Sequence, residues 1–118
     1  MADITIFRNS FSTIYMKAQI QSTPTASLSA YDFSSNTASF VISTVLGSTS
    51  ILTKSSTSNS EITFLSLTGG ELEVYIKNTD TKNLTPGKYF FTLYSIDSTS
   101  KQYDIKTGTL KLKDVVLP

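Results

Sequence analysis

The chain has 118 residues, with 10 Lys and Arg against 9 Asp and Glu, no His, no Cys and no Trp, a length that fits one compact domain. Without imidazole or thiolate, the Ser-His-Asp and Cys-His nucleophile systems, thiol redox chemistry and nearly all zinc and iron sites are excluded. A net charge of +1 with 16% charged residues argues against a basic nucleic-acid binder and against a disordered polyelectrolyte.

The start, Met1-Ala2-Asp3-Ile4-Thr5, lacks the basic and apolar regions of a signal peptide, so a cytosolic product is expected. No apolar run approaches the roughly 20 residues of a membrane-spanning helix. Ser and Thr together number 37, but 7 Phe, 6 Tyr and many aliphatic residues are interleaved with them. That pattern reads as strands with one buried and one wet face rather than as a low-complexity stalk.

In chain order, Ile4 and Ile6 share one face of a first strand. A second run sets Ile14, Met16, Ala18 and Ile20 against Tyr15, Lys17 and Gln19. Residues 22–37 are rich in Ser and Thr and contain Pro24, which predicts a loop or irregular edge strand carrying Leu28 and the Tyr31-Asp32-Phe33 cluster. Residues 38–46 are apolar on both faces, as in a central strand, with Phe40 and Ile42 opposed to Val41 and Val45. Residues 49–53 are its predicted hairpin partner, after a turn at Gly47-Ser48, and residues 55–60 read as an exposed loop. Glu61 to Leu65 is a short strand, and Gly69-Gly70 permits positive φ at a tight turn. Beyond it, Leu72, Val74 and Ile76 share one face while Glu71, Glu73, Tyr75 and Lys77 share the other.

Residues 78–83 are polar and loop-like. From Lys88 to Ile96 both faces are apolar, which predicts a second central strand. A turn at Ser98 to Lys101 leads into residues 102–106, and Thr107-Gly108 is expected to bend the chain into a last strand over residues 109–113. No window carries a helical apolar stripe. Eight or nine strands with turn signals every 8–12 residues or so predict an all-β fold, an immunoglobulin-like β-sandwich of two antiparallel sheets with about eight strands, formed by residues 1–118 as one domain.

One motif has a specific architectural meaning. Leu84-x-Pro86-Gly87-x-Tyr89, immediately ahead of a central strand, matches a tyrosine corner, in which a Tyr at a strand start bonds its hydroxyl to backbone a few residues upstream. Pro86 sets φ before the turn and Gly87 supplies a conformation that a side chain would oppose. The run from Asp80 through this corner, the aromatic strand ending at Asp97, and the close Gly108-Thr109-Leu110-Lys111-Leu112-Lys113-Asp114-Val115 resembles the C-terminal half of an immunoglobulin-like domain found in tailed-bacteriophage virion proteins. The nearest likeness is to the N-terminal domain of upper baseplate proteins from phages of Gram-positive hosts. The resemblance covers the last third of the chain well and the remainder in strand pattern only.

That resemblance implies a non-enzymatic virion building block, docked in multiple copies on tail, baseplate or head proteins, with no cofactor, metal, nucleic acid or membrane. Capsid decoration is the close alternative. A polysaccharide-binding adhesin module, with Tyr15, Tyr31, Tyr75, Tyr94 and Tyr103 as candidate sugar platforms, is the alternative from another class, although partial core burial accounts equally for most of these rings. Apolar Val115, Val116 and Leu117, beyond the last alternation, together with Phe7 and Arg8, are the candidate partner contacts.

The remaining constellations have plain readings. Glu71 and Glu73 lie about 7 Å apart on one strand face, a solvated face rather than a glycosidase pair. Asp80, Asp97 and Asp104 lack the spacing of a calcium loop. Lys106, Lys111 and Lys113 form a basic strip whose expected role is to protect an edge strand from unwanted pairing.

Overall fold

The computed structural model describes residues 2–20, 29–44, 50–58 and 60–114. Among them are ten strands, β1 (Ala2–Phe7), β2 (Ser12–Lys17), β3 (Gln19–Ile20), β4 (Ser29–Ala30), β5 (Thr37–Ser43), β6 (Leu52–Ser55), β7 (Ile62–Ser66), β8 (Glu71–Ile76), β9 (Gly87–Ile96) and β10 (Gln102–Lys113), and one helical turn, α1 (Asn78–Thr81). A five-stranded sheet, β1-β10-β9-β5-β6, faces a three-stranded sheet, β2-β8-β7, and β3 and β4 form a small separate pair.

Period-two alternation builds both layers. On β9, Tyr89, Phe91, Leu93 and Ser95 are buried while Phe90, Thr92, Tyr94 and Ile96 are half-buried on the outer face. On β8, Leu72, Val74 and Ile76 are fully buried and the residues between them are not. The inward residues of the two sheets meet in one cluster that includes Ile14, Met16, Phe40, Ile42, Phe91 and Leu110, which is the sandwich arrangement expected when each sheet has one apolar face. Strand β9 lies between β5 and β10, which explains its apolar character on both sides.

Five features differ from the sequence expectations. The five-stranded sheet is not wholly antiparallel, because β1 runs parallel to β10 in the register Ala2↔Gly108 to Phe7↔Lys113. Second, residues 102–113 form one continuous strand. Gly108 does not bend it, since it pairs with Phe91 on one side and Ala2 on the other. The irregularity falls instead between Asp104 and Lys106, where the register shifts by one residue. Third, β10 is flanked on both sides over residues 108–113, so Lys111 and Lys113 do not guard an edge, whereas Lys106 lies ahead of the pairing with β1.

The fourth difference is α1, a single turn in the segment read as a loop. The Lys77 backbone N–H donates to Asp80 Oδ2 at 2.8 Å, a side-chain bond of the kind that closes a first helical turn. Strand β6 also extends further than expected, to Ser55, with Phe40↔Lys54 and Ile42↔Leu52 in register. Residues 45–49, including Val45 and the Gly47-Ser48 turn, lie outside the described residues, as does Leu28.

Irregular backbone supplies part of the core. Phe33 has no accessible surface and stacks its ring 5.0 Å from Phe64 of β7 and 4.8 Å from Tyr31. Its backbone N–H bonds to the Leu67 carbonyl at 2.9 Å, and that of Tyr31 to the Ala18 carbonyl at 2.9 Å. The segment before β5 is thus tied to the three-stranded sheet and closes one end of the sandwich.

Candidate functional site

Two ends of the sandwich carry distinct constellations. At the first, the chain crosses from β8 to β9. The Tyr89 hydroxyl donates to the Thr85 carbonyl oxygen at 2.5 Å, the bond that defines a tyrosine corner. Tyr89 itself is buried, Leu84 packs half-buried against the core, and Pro86 and Gly87 stand exposed. Gly87 has φ +153°, a backbone state that L side chains rarely adopt even though open space surrounds it, so here glycine answers a torsional need and not a steric one. Because Thr85 is exposed, water can replace the lost donor in Tyr89→Phe. That variant is expected to lose only about 1–1.5 kcal/mol in urea unfolding, with an unchanged far-UV spectrum.

The same crossing holds an arrangement with little sequence signature. Lys54, on the inner face of β6 opposite Phe40, is only 4% exposed, and its Nζ lies 2.5 Å from Asp80 Oδ2 on α1. Next to Asp80, fully buried Thr81 accepts the Asn9 backbone N–H at 2.9 Å through Oγ1. One helical turn therefore grips two separate elements: edge strand β6 through Asp80 and the β1–β2 turn through Thr81. The only available signal was a charged pair, Lys54 and Asp80, in segments that each read as solvated.

Of the candidate partner contacts, Phe7 is 45% exposed at the end of β1, the edge strand of its sheet. Arg8 pairs through Nε with Asp114 Oδ1 at 2.6 Å, both side chains well exposed. Its backbone N–H continues the β1–β10 ladder to the Lys113 carbonyl at 2.7 Å. Val115, Val116 and Leu117 lie outside the described residues.

The acidic residues are engaged within the chain. Glu71 Oε1 accepts the Tyr15 hydroxyl at 2.6 Å, and Glu73 Oε1 accepts that of Tyr75 at 3.2 Å, both on the outer face of the three-stranded sheet. The bond to Glu71 holds the Tyr15 phenol above its ordinary pKa. Among the described residues, no three carboxylates converge in a metal-holding group, and no helix is long and apolar enough to cross a membrane.

At the opposite end, the β9–β10 turn and the segment before β5 border an open concavity of about 770 Å³, lined by residues that include Tyr31, Asp32, Asn36, Asp97 and Tyr103. Asp97 organises the turn. Its Oδ1 accepts the backbone N–H groups of Thr99 and Lys101 and the Thr99 hydroxyl at 2.7–3.0 Å, while Oδ2 accepts the Tyr103 hydroxyl at 3.2 Å. These bonds, those from Thr99 foremost, hold the Asp97 carboxyl below its ordinary pKa, and the Asp97 carboxylate raises that of Tyr103. Two of the five candidate sugar-platform tyrosines, Tyr31 and Tyr103, thus come together here. The other three do not join them: Tyr15 and Tyr75 lie on the outer face of the other sheet and Tyr94 on the outer face of β9. Tyr31 is buried and Tyr75 and Tyr94 are half-buried, so partial burial accounts for most of the set, while Tyr15 and Tyr103 are exposed.

The strand order β10-β9-β5-β6 facing β2-β8-β7, with the corner at the head of β9, is that of an immunoglobulin-like sandwich. The chain matches no protein-family model and no curated protein.

Proposed function

We propose that the chain is a non-enzymatic structural protein of a tailed-bacteriophage particle, an immunoglobulin-like module that docks on tail, baseplate or head proteins. The observation that carries this reading is the corner Leu84-Thr85-Pro86-Gly87-Lys88-Tyr89 heading β9, followed by the Gly108 to Val115 close that resembles such virion domains. Support comes from how the chain uses its charged groups. Asp80, Glu71, Glu73 and Asp97 each serve a partner inside the molecule.

The surface offered is the β1 edge and the turn that follows it, where Phe7 and Phe11 are both exposed. An edge strand presents unpaired backbone groups to an incoming chain, and the exposed Arg8–Asp114 pair contributes little to stability, so its charges are available to a neighbour. Particles assembled with the variant as the sole copy of this chain test the reading. Phe7→Asp and removal of residues 115–118 are expected to lower occupancy severalfold by quantitative mass spectrometry of purified particles. Tyr15→Ala, on the other sheet, is expected to leave it intact. Undiminished occupancy in both edge variants, or particles that never contain the unaltered chain, overturns the proposal. The position of its density in such particles separates tail from capsid decoration.

A further inference from the structure

We infer that the concavity between the β9–β10 turn and the segment before β5 is a binding site for an uncharged saccharide, with Tyr103 as its stacking platform and Asn36 and Asp32 as hydroxyl partners. A strand irregularity sets the direction of Tyr103. The register shift between Asp104 and Lys106 places Tyr103 opposite Ser95, whose side chain faces inward, and Asp104 opposite Tyr94, which faces outward. Without the extra residue, this alternation would reverse and Tyr103 would turn to the outer face, since a one-residue slip exchanges the two sides of a strand. Beyond the reach of the core, the inward direction ends in the concavity, and there Tyr103 is 44% exposed.

Its polar walls are ordered by one another. Asn36 Nδ2 donates to the Tyr31 hydroxyl at 3.1 Å, and the Tyr103 hydroxyl to Asp97 at 3.2 Å. Asp32 is fixed in the same way by the Ser34 backbone N–H at 2.8 Å. Side chains held in place before a ligand arrives lose little freedom on binding it. Each of these bonds leaves further donor or acceptor capacity, because an amide offers two donors and two acceptor sites and a carboxylate about four acceptor sites.

The ligand class follows from this inventory. The volume falls within the roughly 300–1,000 Å³ of small-molecule clefts. An exposed aromatic face offers an apolar platform with a negative π-surface, which suits the C–H face of a sugar ring, and the surrounding amides and carboxylates suit its hydroxyls. Neither lysine nor arginine lines the concavity, whereas Asp32, Asp97 and Asp104 do. Like charges across a site oppose binding, so anionic sugars are rejected and neutral ones accepted.

The test is ¹⁵N-resolved NMR titration of the full chain with maltose, cellobiose, lactose and chitobiose, and with digalacturonate as the anionic counterpart. At least one neutral disaccharide is expected to shift amides of residues 30–36 and 97–105 in a saturable way. Tyr103→Ala, a change at an exposed side chain, is expected to weaken that binding at least tenfold. Asp32→Asn, which keeps the shape of the wall and an acceptor for the Ser34 N–H, is expected to admit digalacturonate. Tyr15→Ala, an exposed tyrosine on the other sheet, is expected to bind as the parent does. The inference is overturned by the absence of saturable shifts with all four neutral sugars, by shifts centred elsewhere, by parental affinity in Tyr103→Ala, or by digalacturonate binding the parent as well as the neutral sugars do. Particle occupancy, which tests the structural role, is independent of each of these results.

Discussion

Gly70→Ala is expected to destabilise the protein by about 3 kcal/mol or more, while Gly69→Ala, its immediate neighbour, costs about 1–2 kcal/mol. Gly70 sits at φ +68°, and a Cβ built there would lie 2.5 Å from the Ala18 carbonyl oxygen and 2.8 Å from that of Tyr31. Both obstacles are backbone, so neither can rotate away. The left-handed conformation adds about 1–2 kcal/mol for a residue with a side chain. Moving the obstructing strands would break what they secure, because the Gly70 carbonyl accepts the Ala18 N–H at 2.8 Å and the Ala18 carbonyl accepts the Tyr31 N–H at 2.9 Å. At Gly69, φ is not positive, and the nearest atoms are the Ser66 hydroxyl at 2.7 Å and the Ser66 Cβ at 3.2 Å; the hydroxyl can turn, at the cost of the bond it accepts from the Gly69 N–H at 3.0 Å. Urea unfolding of the two variants side by side gives the comparison, with the midpoint falling far more for Gly70→Ala at unchanged m-value. Equal losses would show that the crowding at Ala18 and Tyr31 does not exist.

Where strands were legible in the sequence, one physical rule accounts for it. Leu72, Val74 and Ile76 alternate with polar residues because β8 has one dry and one wet face, and any strand so placed displays that period. The corner was legible because Pro86, Gly87 and Tyr89 each have a local backbone reason to be there. What escaped notice was either non-local or reversed in sign. Nothing in residues 2–7 specifies a parallel partner a hundred residues away. Phe33 reaches the core from irregular backbone, where no period operates. Lys54 points inward, so a charged residue on a core face read as the end of a strand. Gly108 reads as a bend, yet it sits in mid-strand paired with Ala2 and Phe91, while the actual irregularity, at Ile105, carries neither Gly nor Pro. The concavity was half legible. The tyrosines that could serve a sugar were apparent, but which two of them converge depends on that bulge.

The Lys54–Asp80 pair supplies the second large effect, and it separates the two roles a buried ion pair can have. Asp80→Ala is expected to cost about 3–5 kcal/mol, because it leaves an ammonium group with almost no access to water and without its counter-charge. Lys54→Met is expected to cost clearly less. The Asp80 carboxylate is 18% exposed and keeps the Lys77 N–H as a donor, so water and backbone take over, and methionine refills the volume beside Phe40 with apolar surface. Combining the two changes removes both charges. The double variant is then expected to be more stable than Asp80→Ala alone and to fall within about 1–2 kcal/mol of the parent, the remaining loss being the bond from Asp80 to Lys77. This strong non-additivity, measured as a double-mutant cycle by denaturant unfolding, would mean that the pair joins β6 to α1 chiefly by forbidding arrangements in which the lysine is buried alone. Losses that simply add would instead place the stabilisation in each residue's separate packing, and α1 would then hold the edge strand without any contribution from charge.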